Sequence, residues 1–200
     1  MQKGAKIISF ILQPLFMPLF GLMLLMQTDL FAHTPFLYKL YLWFGTLLFT
    51  IGLPTAAIVV LTALGKVTSY FIDNRRERTL PYALTVIFYV FYIYFLLNSY
   101  IPVWIVGMMA GSVIAIMMIA LINTKWKISA HLTGMGALTM AVFIVSYRLI
   151  INPVPLFIIM IILSALVASS RMILKAHTPM QVLCGFLAGA VCVMFPGMVL

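Results

Sequence analysis

Acidic side chains are nearly absent. The 200-residue chain has three, Asp29, Asp73 and Glu77, against 12 lysines and arginines. Magnesium and calcium sites are built from clustered carboxylates, so a carboxylate-held divalent ion is excluded as the organising feature. Cysteine is scarce too. Cys184 and Cys192, the only two, lie eight residues apart inside one apolar run, a spacing that fits neither a zinc site nor a redox pair. They read as packing residues and say nothing about compartment. No polar stretch is long enough for a separate soluble domain, and there is no internal repeat or low-complexity segment.

What is present is apolar. Hydrophobic residues make up 65% of the chain and charged residues 8%, where soluble domains run at about 45–50% and about 25%. Runs near the length of a membrane span recur throughout. They predict an all-α polytopic transmembrane bundle in a single membrane domain, 1–200, with about seven spans and six possible. The expected spans are 7–27, 36–64, 82–98, 102–122, 131–151, 154–169 and 179–198. The second is long enough to tilt, and the sixth is short. The first run is too long for a signal peptide and lacks a small-residue cleavage pattern, so it is expected to be a retained span. Pro14, Pro18 and Pro54 fall within spans, where neighbouring helices can satisfy the freed backbone groups.

Threading seven spans sorts the loops onto two faces. The first face receives the N-terminus and the loops around 65–81, 123–130 and 170–178, with Lys3, Lys6, Lys66, Arg75, Arg76, Arg78, Lys125, Lys127, Arg171 and Lys175. The second holds Lys39, Arg148 and Asp29. The positive-inside rule makes the first face cytoplasmic. The net charge of +9 therefore belongs to a membrane surface or to anionic headgroups rather than to nucleic acid.

His131 and His177 fall on that basic face. Thr178-Pro179 predicts an N-cap and first-turn proline for the seventh span. The starts of the third, fifth and seventh spans all point at this face, and helix N-termini suit an anion. Taken singly, Arg171 and Lys175 are as well explained by snorkelling, His131 by an interfacial hydrogen bond, and the arginine run by topology. Their coincidence is what favours a phosphate cradle. Gly134, Gly136, Gly185 and Gly189 read as helix-packing positions.

Ser170-Arg171, five residues, then His177 resembles the third motif of the type 2 phosphatidic acid phosphatase (PAP2) superfamily, S-R-x5-H, and the continuation "TPMQVLCGFLAG" is similar to the family's spaced glycines. "SAH" at 129–131 resembles the second motif, P-S-G-H, with Ile128 and Ala130 in place of Pro and Gly. The first motif, K-x6-R-P, is not present in that spacing; "DNRRERTLP" offers Arg75, Arg76 and Arg78 before Pro81. Gln181 stands where most members carry Asp, and Gln followed by Val is similar to some branches of the superfamily. The resemblance covers a core at about 66–190 and is that of a divergent bacterial-type member of an inner membrane, whose relatives usually place the site outside the cytoplasm.

The resemblance implies a phosphatase acting on an isoprenoid or glycerolipid phosphate or diphosphate. His177 would be the nucleophile that forms a phosphohistidine, and His131 the general acid and base. Arg171, Arg75 and Arg78, with the Ser129 hydroxyl, would hold phosphate oxygens, and Gln181 would orient His177. A cation cluster of this kind can serve phosphoryl transfer without a metal, and no cofactor is implied. The implied partners are the lipid phosphate and membrane lipids. Two rival readings remain: a degenerate relative that binds lipid phosphate without turnover, and a transporter, for which Arg148 is the suggestive residue.

Overall fold

The computed structural model describes residues 1–69 and 75–200. Asp73 and the centre of the loop at 65–81 lie outside the described residues. The chain is 81% helical with no strand among the described residues, and seven helical segments are long and apolar enough to cross a membrane. This is the all-α polytopic bundle expected from hydropathy, and it marks an integral membrane protein.

The first segment, Gln2–Leu25, is two helices rather than one: α1 (Gln2–Ile11) and α2 (Met17–Leu25). Pro14 sets the break. The residue before a proline is driven from the helical region, and Gln13 is extended at φ −75°, ψ 150° before a short 3₁₀ turn, Pro14–Phe16.

The second segment holds α3 (Phe36–Leu47) and α4 (Leu53–Ala63), joined by a π turn at Leu48–Gly52. Pro54 cannot donate to a carbonyl one turn back, and the helix widens just before it. Thr50 and Thr46 bond back to Thr46 O (2.8 Å) and Leu42 O (2.7 Å), and Thr46 also shares a 2.6 Å bond with the Tyr92 hydroxyl.

The remaining helices are α5 (Thr79–Leu97), preceded by a 3₁₀ turn at Arg75–Arg78, then α6 (Val103–Asn123), α7 (Ala130–Arg148), α8 (Val154–Ile173) and α9 (Pro179–Val199). The sixth span is therefore 20 residues, not the short 154–169 expected. Polar Ser169-Ser170-Arg171 reads as the end of a span, yet the helix absorbs its serines: Ser164 Oγ bonds Met160 O at 2.7 Å and Ser170 Oγ bonds Leu166 O at 2.8 Å. A hydroxyl satisfied by its own helix does not stop it.

Two apolar clusters form the core. One gathers Leu42, Tyr89, Tyr92, Leu96, Ile105 and Ile144, the other Met17, Leu132, Met135, Val142, Val167 and Val182. α7 sits between α9, α8 and α2. Its contact with α9 is backbone to backbone. A Cβ on Gly136 would lie 2.0 Å from Phe186 O, and one on Gly189 1.9 Å from Thr133 O. No side chain fits at either position, so the glycines set how closely α7 and α9 approach. The N-termini of these two helices carry the two histidines, and their separation is fixed by that contact.

Candidate active site

The five residues between Arg171 and His177 have a structural cause. Arg171 lies in the last turn of α8, which ends in a Schellman turn. Lys175 N–H bonds Met172 O at 2.9 Å, Ala176 N–H bonds Arg171 O at 3.0 Å, and Lys175 takes the left-handed conformation at φ 52°. Met172 and Ile173 finish the helix, Leu174 caps it, and Lys175 and Ala176 reverse the chain. His177 follows, and Thr178 caps α9. One residue more or fewer would turn the imidazole away from the arginine.

The start of α9 orients that imidazole. Thr178 Oγ1 accepts from Gln181 N–H, and the Gln181 side chain returns to Thr178 N–H at 3.2 Å, a capping box. A backbone N–H only donates, so the Gln181 atom facing it is the carbonyl oxygen, Oε1. The same Oε1 lies 3.1 Å from His177 Nδ1. His177 Nδ1 must then carry the hydrogen, and in the neutral ring Nε2 keeps a lone pair. Burial pushes the His177 imidazole down to about 4; the Gln181 bond opposes this, and the charges of Arg171, Arg78 and Lys127 reinforce it. At neutral pH the ring is uncharged.

Ser129 starts α7 in the same way, its Oγ accepting from Leu132 N–H at 3.5 Å. Its own N–H bonds Gln181 O at 3.3 Å, which ties the two histidine loops together. His131 is the second residue of α7. Its Nε2 lies 3.1 Å from Ser9 O of α1, and a carbonyl only accepts, so Nε2 carries a hydrogen and Nδ1 is the nitrogen left for a reacting oxygen. Arg171, His177 and Arg78 are all within electrostatic reach of His131. Arg78 is buried and donates to the Tyr82 hydroxyl. Asn123 Nδ2 bonds Arg75 O at 2.9 Å, which joins the end of α6 to the arginine turn.

These groups stand at one end of a cavity of about 1220 Å³. Arg78, His131, Arg171 and His177 line this basic end, Gln27, Asp29 and Asn152 line the opposite one, and Tyr89, Tyr92, Met108, Met109, Ile116 and Leu138 are among the residues between. Along α6 the lining runs from Ile119 to Ile105, about 21 Å at the helical rise, against a hydrocarbon core of about 30 Å. A phosphate held at the basic end can extend an apolar tail inward.

Residues 122–196 match the family model of the PAP2 superfamily. This supports membership of that superfamily. The match takes in His131, Arg171, His177 and Gln181, and leaves α1 and Arg78 outside it. No curated protein and no solved structure matches the chain.

Of the residues expected at the site, His131, His177, Arg171 and Arg78 come together on the cavity wall, with Gln181 behind His177. Ser129 is fully buried behind the wall, where it caps α7 rather than lining the cavity. Arg75 does not line it either; its backbone carbonyl holds Asn123. Sequence reasoning missed Ser9 and Tyr82 and gave Lys127 and Lys6 no role beyond charge on this face. Nothing in the sequence pairs Ser9 with His131, 122 positions away. Arg148, the residue behind the transporter reading, lies at the far end of α7, where its Nη2 donates to Met198 O at 2.8 Å and Gly197 O at 3.4 Å. It caps the C-terminus of α9.

Proposed function

We propose that the protein is a membrane phosphatase that hydrolyses a lipid phosphate or diphosphate through a phosphohistidine intermediate. The observation that carries the reading is the Gln181 clamp on His177. It leaves an Nε2 lone pair among arginines, at the mouth of an apolar cavity, within a chain matching a phosphatase-type superfamily.

In the first step His177 Nε2 bonds to phosphorus as the bond from phosphorus to the leaving oxygen breaks, and His131 gives that oxygen a proton. In the second, His131 takes a proton from water, whose oxygen attacks phosphorus and displaces His177. Arg171 and Arg78 hold the non-bridging oxygens through planar forks, where charge is redistributed in the transition state. We take the membrane to be a bacterial cytoplasmic one, a reading supported by the resemblance of the motifs to bacterial-type members.

The test is phosphate release by the purified protein across a panel of isoprenoid and glycerolipid phosphates. Wild-type protein is expected to turn over at least one of them and to be labelled on His177 by substrate phosphorus. His177→Ala is expected to lose turnover and keep lipid-phosphate binding, because the arginines remain. Wild-type binding without release would mark a binder instead, and normal turnover by His177→Ala would end the phosphohistidine mechanism.

A further inference from the structure

We infer that α1 supplies a subsite for the leaving side of the substrate, and that the anion it takes is the second phosphate of a lipid diphosphate. This rests on the phosphatase reading for its direction. It adds residues outside the matched segment 122–196.

Lys6 and Ser9 lie three residues apart on one face of α1, and with Gln13 at the break beyond the helix they line the cavity. The Ser9 hydroxyl is buried, the residue being 7% exposed, and it has no hydrogen-bond partner among the described residues. A buried hydroxyl left unmet is costly, and a ligand oxygen would meet it. The same residue's carbonyl holds His131 Nε2 at 3.1 Å. The stripe is therefore fixed beside the group that protonates the leaving oxygen.

The break at Gln13-Pro14 seats it there. A Cβ on Gly134 would lie 3.2 Å from Pro14 Cα, so α7 receives the kinked chain closely. Lys6 lies one turn nearer the N-terminus than Ser9, whose carbonyl meets His131, and Gln13 follows beyond the end of α1.

In-line displacement puts the leaving group opposite His177. For a lipid monophosphate that group is an alkoxide with one oxygen, and a lysine beside it has no second anion to meet. With a diphosphate, the His177 Nε2–phosphorus bond forms as the bond to the bridging oxygen breaks. The electron pair stays on that oxygen, which takes the His131 proton, and a lipid monophosphate departs. Its remaining oxygens are what Lys6 and Ser9 would hold.

The experiment compares one isoprenoid tail carrying either a monophosphate or a diphosphate, with wild type, Ser9→Ala and Lys6→Met. Phosphate release and competition binding in detergent are both measured. Wild type is expected to prefer the diphosphate. Each variant is expected to lose about tenfold in diphosphate kcat/KM, the scale of one charge-assisted hydrogen bond, while the monophosphate value changes less than about twofold. Equal loss on both substrates, or none on the diphosphate, overturns the subsite and leaves the phosphatase reading standing. If wild type releases phosphate from neither lipid, that reading fails and binding alone decides the subsite. A diphosphate preference removed by Ser9→Ala supports it; no preference overturns it.

Discussion

Gln181 Oε1 lies 3.1 Å from His177 Nδ1 and also accepts from Thr178 N–H. A neutral amide thus does the orienting work for which the resemblance would supply a carboxylate. It fixes the tautomer without attracting a proton to the ring. Gln181→Ala is expected to lower kcat by about tenfold or more, on the scale of a lost hydrogen bond to a developing charge, with KM nearly unchanged. Single-turnover kinetics would check the split. A change confined to KM would place Gln181 in binding rather than in positioning.

The pH profile follows from the same environment. The nucleophile must be unprotonated, and burial with nearby cations holds His177 at about 4 instead of the ordinary 6.5. Activity governed by His177 should therefore persist below pH 6 and fall only as pH drops through about 4. Gln181→Glu puts a carboxylate within the same reach and favours the imidazolium. Its acid limb should move upward by about one unit or more. The check is log kcat/KM against pH for both proteins. A wild-type limb near 6.5 that does not move in the variant would count against His177 as the titrating nucleophile.

Much of this was legible because local rules and tertiary contacts agree. Hydropathy located seven spans, Thr178-Pro179 marked the start of α9, and the Arg171–His177 spacing carries the Schellman turn in its length. The sequence did not show that Ser170 and Arg171 stay helical, because a serine bonded to its own helix looks like a loop residue. Nor did it sort Arg78 from Arg75: the 3₁₀ turn decides which guanidinium is buried at the cavity. The Ser9–His131 bond depends on how α1 docks after the Pro14 break, and no periodicity encodes that.

The α7–α9 contact makes a prediction about folding rather than chemistry. Gly189 has no room for any Cβ, with Thr133 O at 1.9 Å and Ala137 N at 2.9 Å from where it would stand. Backbone cannot rotate away as a side chain can, so the helices must part. Gly189→Ala is expected to destabilise by about 1–3 kcal/mol, the usual range for overpacking, and Gly189→Leu by more. Thermal unfolding in detergent would measure it. An unchanged midpoint for Gly189→Leu would mean that α7 and α9 are further apart than described.

Arg148 separates the transporter reading from a structural one. Its guanidinium donates to the last carbonyls of α9 at the end of the bundle remote from His177. Arg148→Ala is expected to cost about 1.5–3 kcal/mol of stability, as for hydrogen bonds from a charged group. The specific activity of the folded fraction should be unchanged. Stability and activity measured on the same preparation check this. Solute flux in liposomes that disappears in the variant, with stability intact, would revive transport.

His131 offers the most discriminating kinetic test. Ser9 O occupies its Nε2, so proton transfer to the leaving oxygen falls to Nδ1. General acid catalysis matters in proportion to how poor the leaving group is, and contributes about 10²–10⁴-fold where it is needed. His131→Ala should therefore slow hydrolysis of a lipid phosphate ester, whose alkoxide leaves badly, by about that factor. With an aryl phosphate whose phenolate departs unprotonated, the first step should be nearly unaffected, and loss should persist only where water must be activated. A burst of phenol followed by slow turnover is the expected signature, with phosphohistidine accumulating. Equal slowing of the burst with good and poor leaving groups would show that His131 holds the phosphate rather than protonating what leaves, and the acid would have to be sought elsewhere on the cavity wall.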